Sequence, residues 1–342
     1  MAKLRVGLIG CGGRGRAHAR GYAAAPDVEL AACADLYPET AQKAAAEFKI
    51  PKTYTDYKEM LERERLDVVS IALWTGLHHE AVLACVNASK PPKLINAEKP
   101  MAPTLGAARS MHEACAKAGI ALTFCHQRRL GSTFAKAREF AQSGAIGSLR
   151  RMEGYCPNLF DWGTHWFDML FYYNAQTPVE WVMGQIDVAA DKKVFGTPVE
   201  TSGLSLFRFA NGVEGLLVTG SEAGSEPTGT RIFGSAGIVE AREHSLRILR
   251  EGKSWEDVDC GDLKAEAANP TTRYVLETLG CLRESQESLF SSRQSLMATE
   301  LIFATYESAR RRAKVKLPLG TDDSALLTML EKGEIVAPKA PA

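Results

Sequence analysis

Short apolar runs alternate with helix-like segments through the first third of the chain, and this alternation restricts the fold more than any other feature. The runs predict five strands, at Leu4–Ile9, Val28–Ala34, Asp67–Leu73, Leu94–Ala97 and Ile120–Phe124. Helical patterns lie between them, at Pro38–Phe48, Leu77–Asn87 and Leu105–Ala118. Repeated strand–helix–strand units favour a parallel sheet with helices on both faces, so the sequence predicts an α/β, doubly wound domain.

The pattern changes after a helical stretch at residues 134–143. Longer strands with alternating polarity, separated by turn signals such as Asn211-Gly212, predict a large, mainly antiparallel open sheet at 149–155, 179–188, 203–209, 213–219, 231–233 and 246–249. Helical patterns follow at 271–283 and 293–312. We therefore expect an α/β domain at 1–125, an α+β domain at 126–332 and a loosely ordered tail at 333–342.

Composition excludes several classes of function. In 342 residues, 41 Lys and Arg balance 41 Asp and Glu, so no net charge draws the chain to nucleic acid or to an anionic membrane. The eight cysteines form no Cys-x-x-Cys pair, which favours reduced, structural thiols. The chain runs from Met1 straight into a strand and has no apolar stretch of membrane-spanning length, so we expect a cytoplasmic protein with a small-molecule substrate.

A glycine-rich turn follows the first strand and opens a helix. Gly10-x-Gly12-x-x-Gly15 has the spacing at which glycines allow a tight turn, close approach to a pyrophosphate and close packing of helix on sheet. Asp35 ends the second strand 20 residues after Gly15, where a carboxylate can bind the diol of an adenosine ribose. The sequence therefore predicts a dinucleotide site that includes Gly13 and Arg14 and prefers NAD to NADP.

Lys99 is the first candidate for chemistry. It follows the buried strand at 94–97 within Glu98-Lys99-Pro100, so its ammonium group is expected at the carboxyl edge of the parallel sheet, where ligands bind in such folds. Further on, the segment from Asp161 to Asp168 contains His165 four residues after Asp161, a spacing that places both side chains on one face of a helix.

The chain resembles the Gfo/Idh/MocA family of glucose–fructose oxidoreductase and inositol dehydrogenase-like enzymes. The resemblance rests on motifs in the family's order: Gly10-x-Gly12-x-x-Gly15, Glu98-Lys99-Pro100, Gln127-x-Arg129, Gly144-x-Ile146-Gly147, Asp161-x-Gly163-x-His165-x-x-Asp168, and Glu307-Ser308-Ala309 before Val315-x-Leu317-Pro318. It implies a Rossmann domain, an α+β domain whose open sheet forms homodimers or homotetramers, and pyridine-dinucleotide chemistry on sugars, polyols or their derivatives. It also implies that Lys99, Asp161 and His165 are the catalytic residues.

Each of these three residues has a chemical role in alcohol oxidation. His165 is predicted to take the hydroxyl proton, because unperturbed imidazole titrates near pH ~6.5. Lys99 is predicted to stabilise the charge that develops on the reacting oxygen, and Asp161 to orient the imidazole or to contact a neighbouring hydroxyl. The structural alternative makes Asp161 a helix cap and His165 a packed histidine.

Other residues are weaker candidates. Trp74, Thr75 and His78 follow the third predicted strand and, with Glu98, Lys99 and Gln127, are predicted to line the cofactor; capping or exposure is the alternative for His78. Arg129 is a candidate to bind an anionic substrate or, alternatively, a structural arginine. Trp162 is a candidate to stack on a sugar ring, while Asp168 contacts substrate or makes a structural hydrogen bond. No metal site is predicted, since the histidines do not combine with acids or cysteines at ligand spacing.

Three functions stay open on the sequence. The first is an NAD(P)-dependent dehydrogenase or reductase acting on the CH–OH group of a sugar, polyol or derivative. The second is a redox-neutral glycosidase or lyase in which NAD transiently oxidises a sugar. The third is a non-catalytic, dinucleotide-sensing regulator on the same fold, against which the presence of Lys99, Asp161 and His165 argues.

Overall fold

A computed structural model of the chain describes residues 3–189, 191–220, 228–261 and 270–335. Of these, residues 3–103, 107–127 and 270–296 form one compact unit, and the remainder form a second. The division differs from the expected boundaries, because residues 270–296 belong to the first unit and residues 104–106 belong to the second. From residue 336 on, the tail that was expected to be loosely ordered lies outside the described residues.

The first unit contains a six-stranded parallel sheet of order β3-β2-β1-β4-β5-β6. Its strands are β1 Leu4–Ile9, β2 Val28–Ala34, β3 Thr53–Tyr54, β4 Val68–Ile71, β5 Leu94–Ala97 and β6 Ala121–Phe124. The helices of this part of the chain are α1 Gly13–Ala23, α2 Pro38–Phe48, α3 Tyr57–Arg63, α4 Thr75–Asn87, α5 Leu105–Ala118 and, after the second unit, α8 Pro270–Glu284. The predicted α/β, doubly wound architecture is confirmed.

The burial of the central strands explains why the alternation of strands and helices could be predicted from the sequence. Every residue of β4 and β5 is buried, as expected for parallel strands that helices cover on both faces. Strand β3 was not predicted because a strand of two residues is too short to produce a periodic pattern. Helix α8 packs against α1, where a Cβ atom added to Gly21 would lie 2.8 Å from Cβ of Val275. Because α8 packs this closely against α1, it belongs to the first unit although it lies far along the chain.

The second unit contains a nine-stranded sheet of order β16-β15-β14-β13-β7-β12-β11-β8-β17. Its strands are β7 Leu149–Cys156, β8 Val179–Asp187, β11 Ser202–Phe209, β12 Glu214–Thr219, β13 Gly229–Gly234, β14 Gly237–Arg242, β15 Ser245–Arg250, β16 Glu256–Asp257 and β17 Val315–Lys316; β9 Lys193–Val194 and β10 Thr197–Pro198 form a separate hairpin. The helices here are α6 Ser132–Gln142, α7 Gly163–Tyr173 and α10 Ala325–Glu331, while α9 Ser292–Arg311 begins in the first unit.

The predicted α+β sheet is confirmed, and the structure adds one parallel pair and three strands that were not predicted, β14, β16 and β17. Strands β7 and β12 pair in parallel, so the sheet is mixed although most of its pairs are antiparallel. Strand β14 was missed because its polar residues hide the apolar alternation. Glu240 on this strand is nevertheless buried, and it is stabilised there by ion pairs with Arg231, Arg242 and Arg247 at 2.8–3.0 Å.

Helices long and apolar enough to span a bilayer were sought over the described residues, and none was found.

Candidate functional site

The glycine turn leaves open space where a ligand would need it. Gly10 has a φ of +87°, and a Cβ atom there would collide with the carbonyl oxygen of Ala72. A Cβ atom on Gly15 would collide with the carbonyl oxygen of Gly10, so these two glycines are required by the protein itself. In contrast, Cβ atoms on Gly12 and Gly13 would meet no protein atom within 4 Å. The open side of the turn, at the start of α1, fits a pyrophosphate.

Asp35 is held against this turn by two backbone N–H groups. Its Oδ2 accepts a hydrogen bond from the N–H of Cys11 at 2.8 Å, and its Oδ1 accepts one from the N–H of Tyr37 at 3.0 Å. The carboxylate is therefore oriented before any ligand arrives. The next side chains, Leu36 and Tyr37, are exposed and carry no positive charge for a 2′-phosphate. Asp35 with this neutral flank fits a free ribose diol and hence NAD.

The end of β4 supplies the next group of predicted residues. Trp74 is exposed as the N-cap residue of α4, and Thr75 is buried behind it. His78 is fully buried, with Nδ1 3.1 Å from the carbonyl oxygen of Pro100 and Nε2 3.0 Å from that of Leu73. Burial lowers the pKa of His78, although these carbonyl groups oppose the shift. The geometry favours a structural role for His78, and its contact with the cofactor stays a prediction.

A buried ionic network joins the glycine turn to Glu98. Oε1 of Glu98 accepts from Nε of Arg14 at 2.7 Å and lies 3.0 Å from Nε2 of His18, whose Nδ1 lies 2.7 Å from Oγ of Ser70. Although burial works to raise the pKa of Glu98, the bonds from His18 and Arg14 lower it to about 2. Glu98 is thus an ionised anchor between α1 and the end of β5. Arg14, which was predicted to bind the cofactor, is engaged in this network.

The network also contains a cluster that the sequence did not reveal. Donor atoms of His18, Glu98 and Cys125 lie within 4.8 Å of one another, although their spacing in sequence shows no metal motif. The guanidinium group of Arg14 already supplies a cation here, 2.6 Å from Glu98 and 3.6 Å from Sγ of Cys125. Burial and the charge of Glu98 raise the pKa of the Cys125 thiol well above its ordinary value.

Lys99 comes directly after this anchor and is half-buried. The N–H of Glu98 donates to the carbonyl of Ile71 at 2.9 Å, which extends the pairing of β5 with β4 up to the residue before Lys99. Since β2, β1, β4 and β5 are parallel neighbours, their carboxyl ends place Asp35, the glycine turn, Trp74 and Lys99 along one edge of the sheet. Gln127 follows β6, with its Oε1 3.6 Å from Sγ of Cys125.

In the second unit, a tight turn leads from β7 into α7 and carries Asp161. Oδ1 of Asn158 accepts hydrogen bonds from the N–H groups of Asp161 at 2.7 Å and Trp162 at 3.1 Å, and the carbonyl of Asn158 accepts from Gly163 at 2.8 Å. The side chain of Asn158 therefore fixes the two residues that precede α7, which begins at Gly163. No motif or spacing in the sequence indicates this role for Asn158.

His165 lies in the first turn of α7 and is 5% exposed. Its ring contacts that of Trp166 edge to face, with centroids 6.4 Å apart. Trp166 is 1% exposed and belongs to the core, whereas Trp162 is only partly buried and receives the guanidinium group of Arg128 5.2 Å from its ring centroid. Of the two tryptophans, Trp162 alone stays a candidate to stack on a substrate.

Arg129 and Asp168 form a buried bidentate ion pair. Nε and Nη2 of Arg129 donate to the two carboxylate oxygens of Asp168, each at 2.6 Å, and the two side chains are 1% and 2% exposed. The guanidinium group also lies over the ring of Tyr172, 5.1 Å from its centroid. This geometry favours the structural alternative for both residues. Binding of substrate by Arg129 stays a prediction.

The fold of the first unit, the open glycine turn and the fixed Asp35 define a dinucleotide-binding oxidoreductase. The chain belongs to the Gfo/Idh/MocA family. Residues 4–126 match the family's oxidoreductase domain with an NAD-binding Rossmann fold, and residues 158–240 match its C-terminal domain. The protein is accordingly an oxidoreductase with NAD as its cofactor.

Named relatives span most of the chain. Myo-inositol 2-dehydrogenase of Thermotoga maritima is 27% identical over 255 residues, which cover 70% of this chain and 75% of that one. D-apiose dehydrogenase of Paraburkholderia graminis is 25% identical over 98% of this chain and 95% of its own. Among solved structures, the WlbA dehydrogenase of Bordetella pertussis, in complex with NADH and UDP-GlcNAcA, superimposes with a TM-score of 0.79 at 22% identity, covering 93% of this chain and 99% of that one. That structure supports the fold.

Proposed function

We propose that the protein is an NAD-dependent dehydrogenase that oxidises a secondary hydroxyl group of a sugar, polyol or derivative. One observation carries the proposal: Lys99 stands at the sheet edge that bears the glycine turn, and the Arg14–Glu98 ion pair fixes the residue before it to that turn. A cation placed beside a dinucleotide site suits a reaction in which an alkoxide develops. The names of the relatives, inositol and apiose dehydrogenases, supply the class of substrate.

The proposed reaction divides the work among three side chains. Bound NAD would accept the hydride from the carbinol carbon. The imidazole of His165 takes the proton of the hydroxyl group, so that the C–H and O–H bonds break as the carbonyl forms. Lys99 donates a hydrogen bond to the reacting oxygen and stabilises its negative charge. Asp161, whose backbone Asn158 holds, orients the imidazole or binds a neighbouring hydroxyl.

The substrate class is tested with a panel of polyols, aldoses and sugar acids, assayed by nicotinamide absorbance. We expect formation of NADH with at least one polyol or sugar, and poorer rates with NADP. Conversion of a glycoside without net NADH would contradict the dehydrogenase proposal and identify the redox-neutral alternative. Tight binding of NADH without turnover of any compound would instead identify a dinucleotide sensor.

We also propose that the second unit forms homodimers or homotetramers through its open sheet. Apolar side chains occupy neighbouring positions on the face opposite the buried Phe207: Leu206 is paired with both Met183 and Leu216, and Leu204 with Val218. Met183 is 49% exposed and Leu204 is 43% exposed. An apolar patch across adjacent strands is unfavourable in water and favours burial against a second copy.

Light scattering tests this assembly. We expect a mass above the 37.2 kDa of one chain, and a shift toward monomer in the double variant Met183→Glu, Leu204→Glu. A monodisperse monomer of the unmodified protein would contradict the proposed association.

A further inference from the structure

A buried carboxyl group holds the turn that carries Asp161. Glu200, in the linker between β10 and β11, has no exposed surface. One of its oxygens accepts a short hydrogen bond from the N–H of Leu159, and the other accepts from the hydroxyl group of Tyr306 at 2.5 Å. Leu159 lies two residues before Asp161, so Glu200 acts on the backbone of the turn from about forty positions away in sequence.

The side chain of Leu159 is held by the same region. Leu159 is fully buried, and a Cβ atom added to Gly203 would lie 2.8 Å from its Cδ1. Glu200 in the linker therefore holds the backbone of Leu159, and Gly203 at the start of β11 packs against its side chain. Within the turn, Asn158 bonds the N–H groups of Asp161 and Trp162, so the internal bonds and the Glu200 bond act on the same five residues.

The surroundings of Glu200 make its burial costly. Burial raises the pKa of Glu200 to about 7, opposed by its hydrogen bonds with Tyr306 and Leu159 and by the charge of Lys192. The pKa of the Cys156 thiol is raised by burial and by the charge of Glu200. Carboxyl groups perturbed in this way concentrate at functional sites, and a buried carboxyl that loses a partner destabilises its surroundings.

We propose that Glu200 is a positioning residue of the dehydrogenase: together with Tyr306, it fixes the turn from Asn158 to Trp162, and through that turn it sets Asp161 and the first turn of α7, which carries His165. The inference rests on the proposed function, since Asp161 and His165 are its reactive side chains. Glu200 itself is too deeply buried to touch the substrate.

The test compares Glu200→Leu with Glu200→Gln. Leucine removes the acceptor of the Leu159 N–H, whereas the amide of glutamine keeps a carbonyl oxygen for Leu159 and donates an N–H to Tyr306. We expect Glu200→Leu to lower kcat at least about tenfold with cofactor affinity unchanged, and Glu200→Gln to stay within about twofold of the unmodified enzyme. Amide hydrogen exchange in a peptide covering residues 156–166 should be faster in the leucine variant only.

Further variants keep the test decisive. Tyr306→Phe removes one bond to Glu200 and should change kcat and exchange in the same direction, though less; it replaces Glu200→Leu if that variant does not fold. Tyr173→Phe, which removes a buried hydroxyl bonded to Thr230 at 3.1 Å, is the matched control and should leave both readouts unchanged.

Two outcomes would overturn the positioning role. The first is unchanged exchange and unchanged kcat in both Glu200→Leu and Tyr306→Phe, and the second is an equal loss in Glu200→Gln and Glu200→Leu. If the unmodified protein oxidised no member of the substrate panel, the proposed function would fail separately. The exchange measurement would still decide whether Glu200 holds the turn.

Discussion

The glycine turn and the Asp161 turn are both short backbone segments that follow a strand and open a helix, but they are held in different ways. In the glycine turn, Gly10 and Gly15 contact each other and Ala72, and the side chain that bonds the turn is a recognisable residue, Asp35. The Asp161 turn is held from inside by Asn158 and from outside by Glu200, with Tyr306 behind it. A turn can be predicted from sequence when the residues that hold it are part of a recognisable motif, as in the glycine turn and not in the Asp161 turn.

The two turns also have different proposed functions, cofactor binding for the glycine turn and catalysis for the Asp161 turn. The first turn leaves open space at Gly12 and Gly13 and presents backbone N–H groups, which suits a cofactor common to many reactions. The second turn aims particular side chains, so small changes in its backbone should alter turnover before they alter cofactor binding. Variants in the two regions should therefore affect different measured quantities.

The largest effect is expected from the proposed reactive side chains. Lys99→Met and His165→Ala should each lower kcat at least about a hundredfold, because charge stabilisation and proton transfer act as the carbonyl forms, while NADH affinity stays within about threefold. Lys93→Met, at the other end of the same strand, and His244→Ala, at an exposed position, are matched controls. Near-normal turnover in both Lys99→Met and His165→Ala would leave these residues with structural roles.

A valine at Gly12 tests the glycine turn. Because a side chain at Gly12 meets no protein atom, Gly12→Val should fold normally yet weaken NADH binding on the order of thirtyfold by occupying the place of the pyrophosphate. The measurement is a fluorescence titration with NADH beside a melting curve. Gly320→Val, also without a protein neighbour within 4 Å, controls for the substitution. Unchanged affinity in Gly12→Val would remove the turn from the cofactor site.

Asp35 should decide which cofactor binds. Its carboxylate repels a 2′-phosphate and accepts hydrogen bonds from a free diol, so Asp35→Ser should narrow the preference for NAD over NADP about tenfold. The ratio of the two dissociation constants measures the effect. Comparison with Asp35→Asn separates the charge from the support that Asp35 gives the turn through the N–H of Cys11. Better binding of NADP by the unmodified protein would contradict this role.

The smallest effect concerns stability and pH at Glu200. The pKa of Glu200 is raised by burial from 4.5 to about 7 in the folded protein, so the folded state binds the proton more tightly than the unfolded chain does. Stability from this group is present at acid pH and is lost as pH rises from about 4.5 to about 7. Between these limits, Tm of the unmodified protein should fall a few degrees more than Tm of Glu200→Gln. Parallel curves would show that Glu200 does not titrate in this range.

Much of the fold was predictable because local patterns determine it. The bounds of β1, β2, β5, α2 and α5 agree with the predicted segments residue for residue, since buried parallel strands and their covering helices have strong periodicities. Short elements such as β3, and strands with ion-paired polar residues such as β14, gave no such pattern. The return of α8 to the first unit could not be predicted either, because helical periodicity does not identify the surface on which a helix packs.

The predicted residues divide in the same way. Asp35 was found because it ends the second predicted strand 20 residues after Gly15, which is the spacing of an acid that binds the adenosine ribose. Asn158, Glu200 and Tyr306 were missed because the side chains that hold a turn through hydrogen bonds have no characteristic spacing in sequence. For Arg129 and Asp168, the sequence left binding and structural roles open, and the bidentate ion pair favours the structural one.

The sequence by itself determined the doubly wound sheet and the glycine turn with its acid, since these follow from periodicity and from spacing along the chain. The resemblance of its motifs to those of the family added Lys99, Asp161 and His165 as the catalytic candidates. The tertiary structure decided which polar groups hold them. In the tertiary structure Arg14 forms an ion pair with Glu98 and Glu200 accepts a hydrogen bond from the N–H of Leu159. The ring of His78 lies within hydrogen-bond distance of backbone carbonyls. A buried polar group must find a partner wherever the fold brings one near, and the distance between such partners is not encoded in any local pattern.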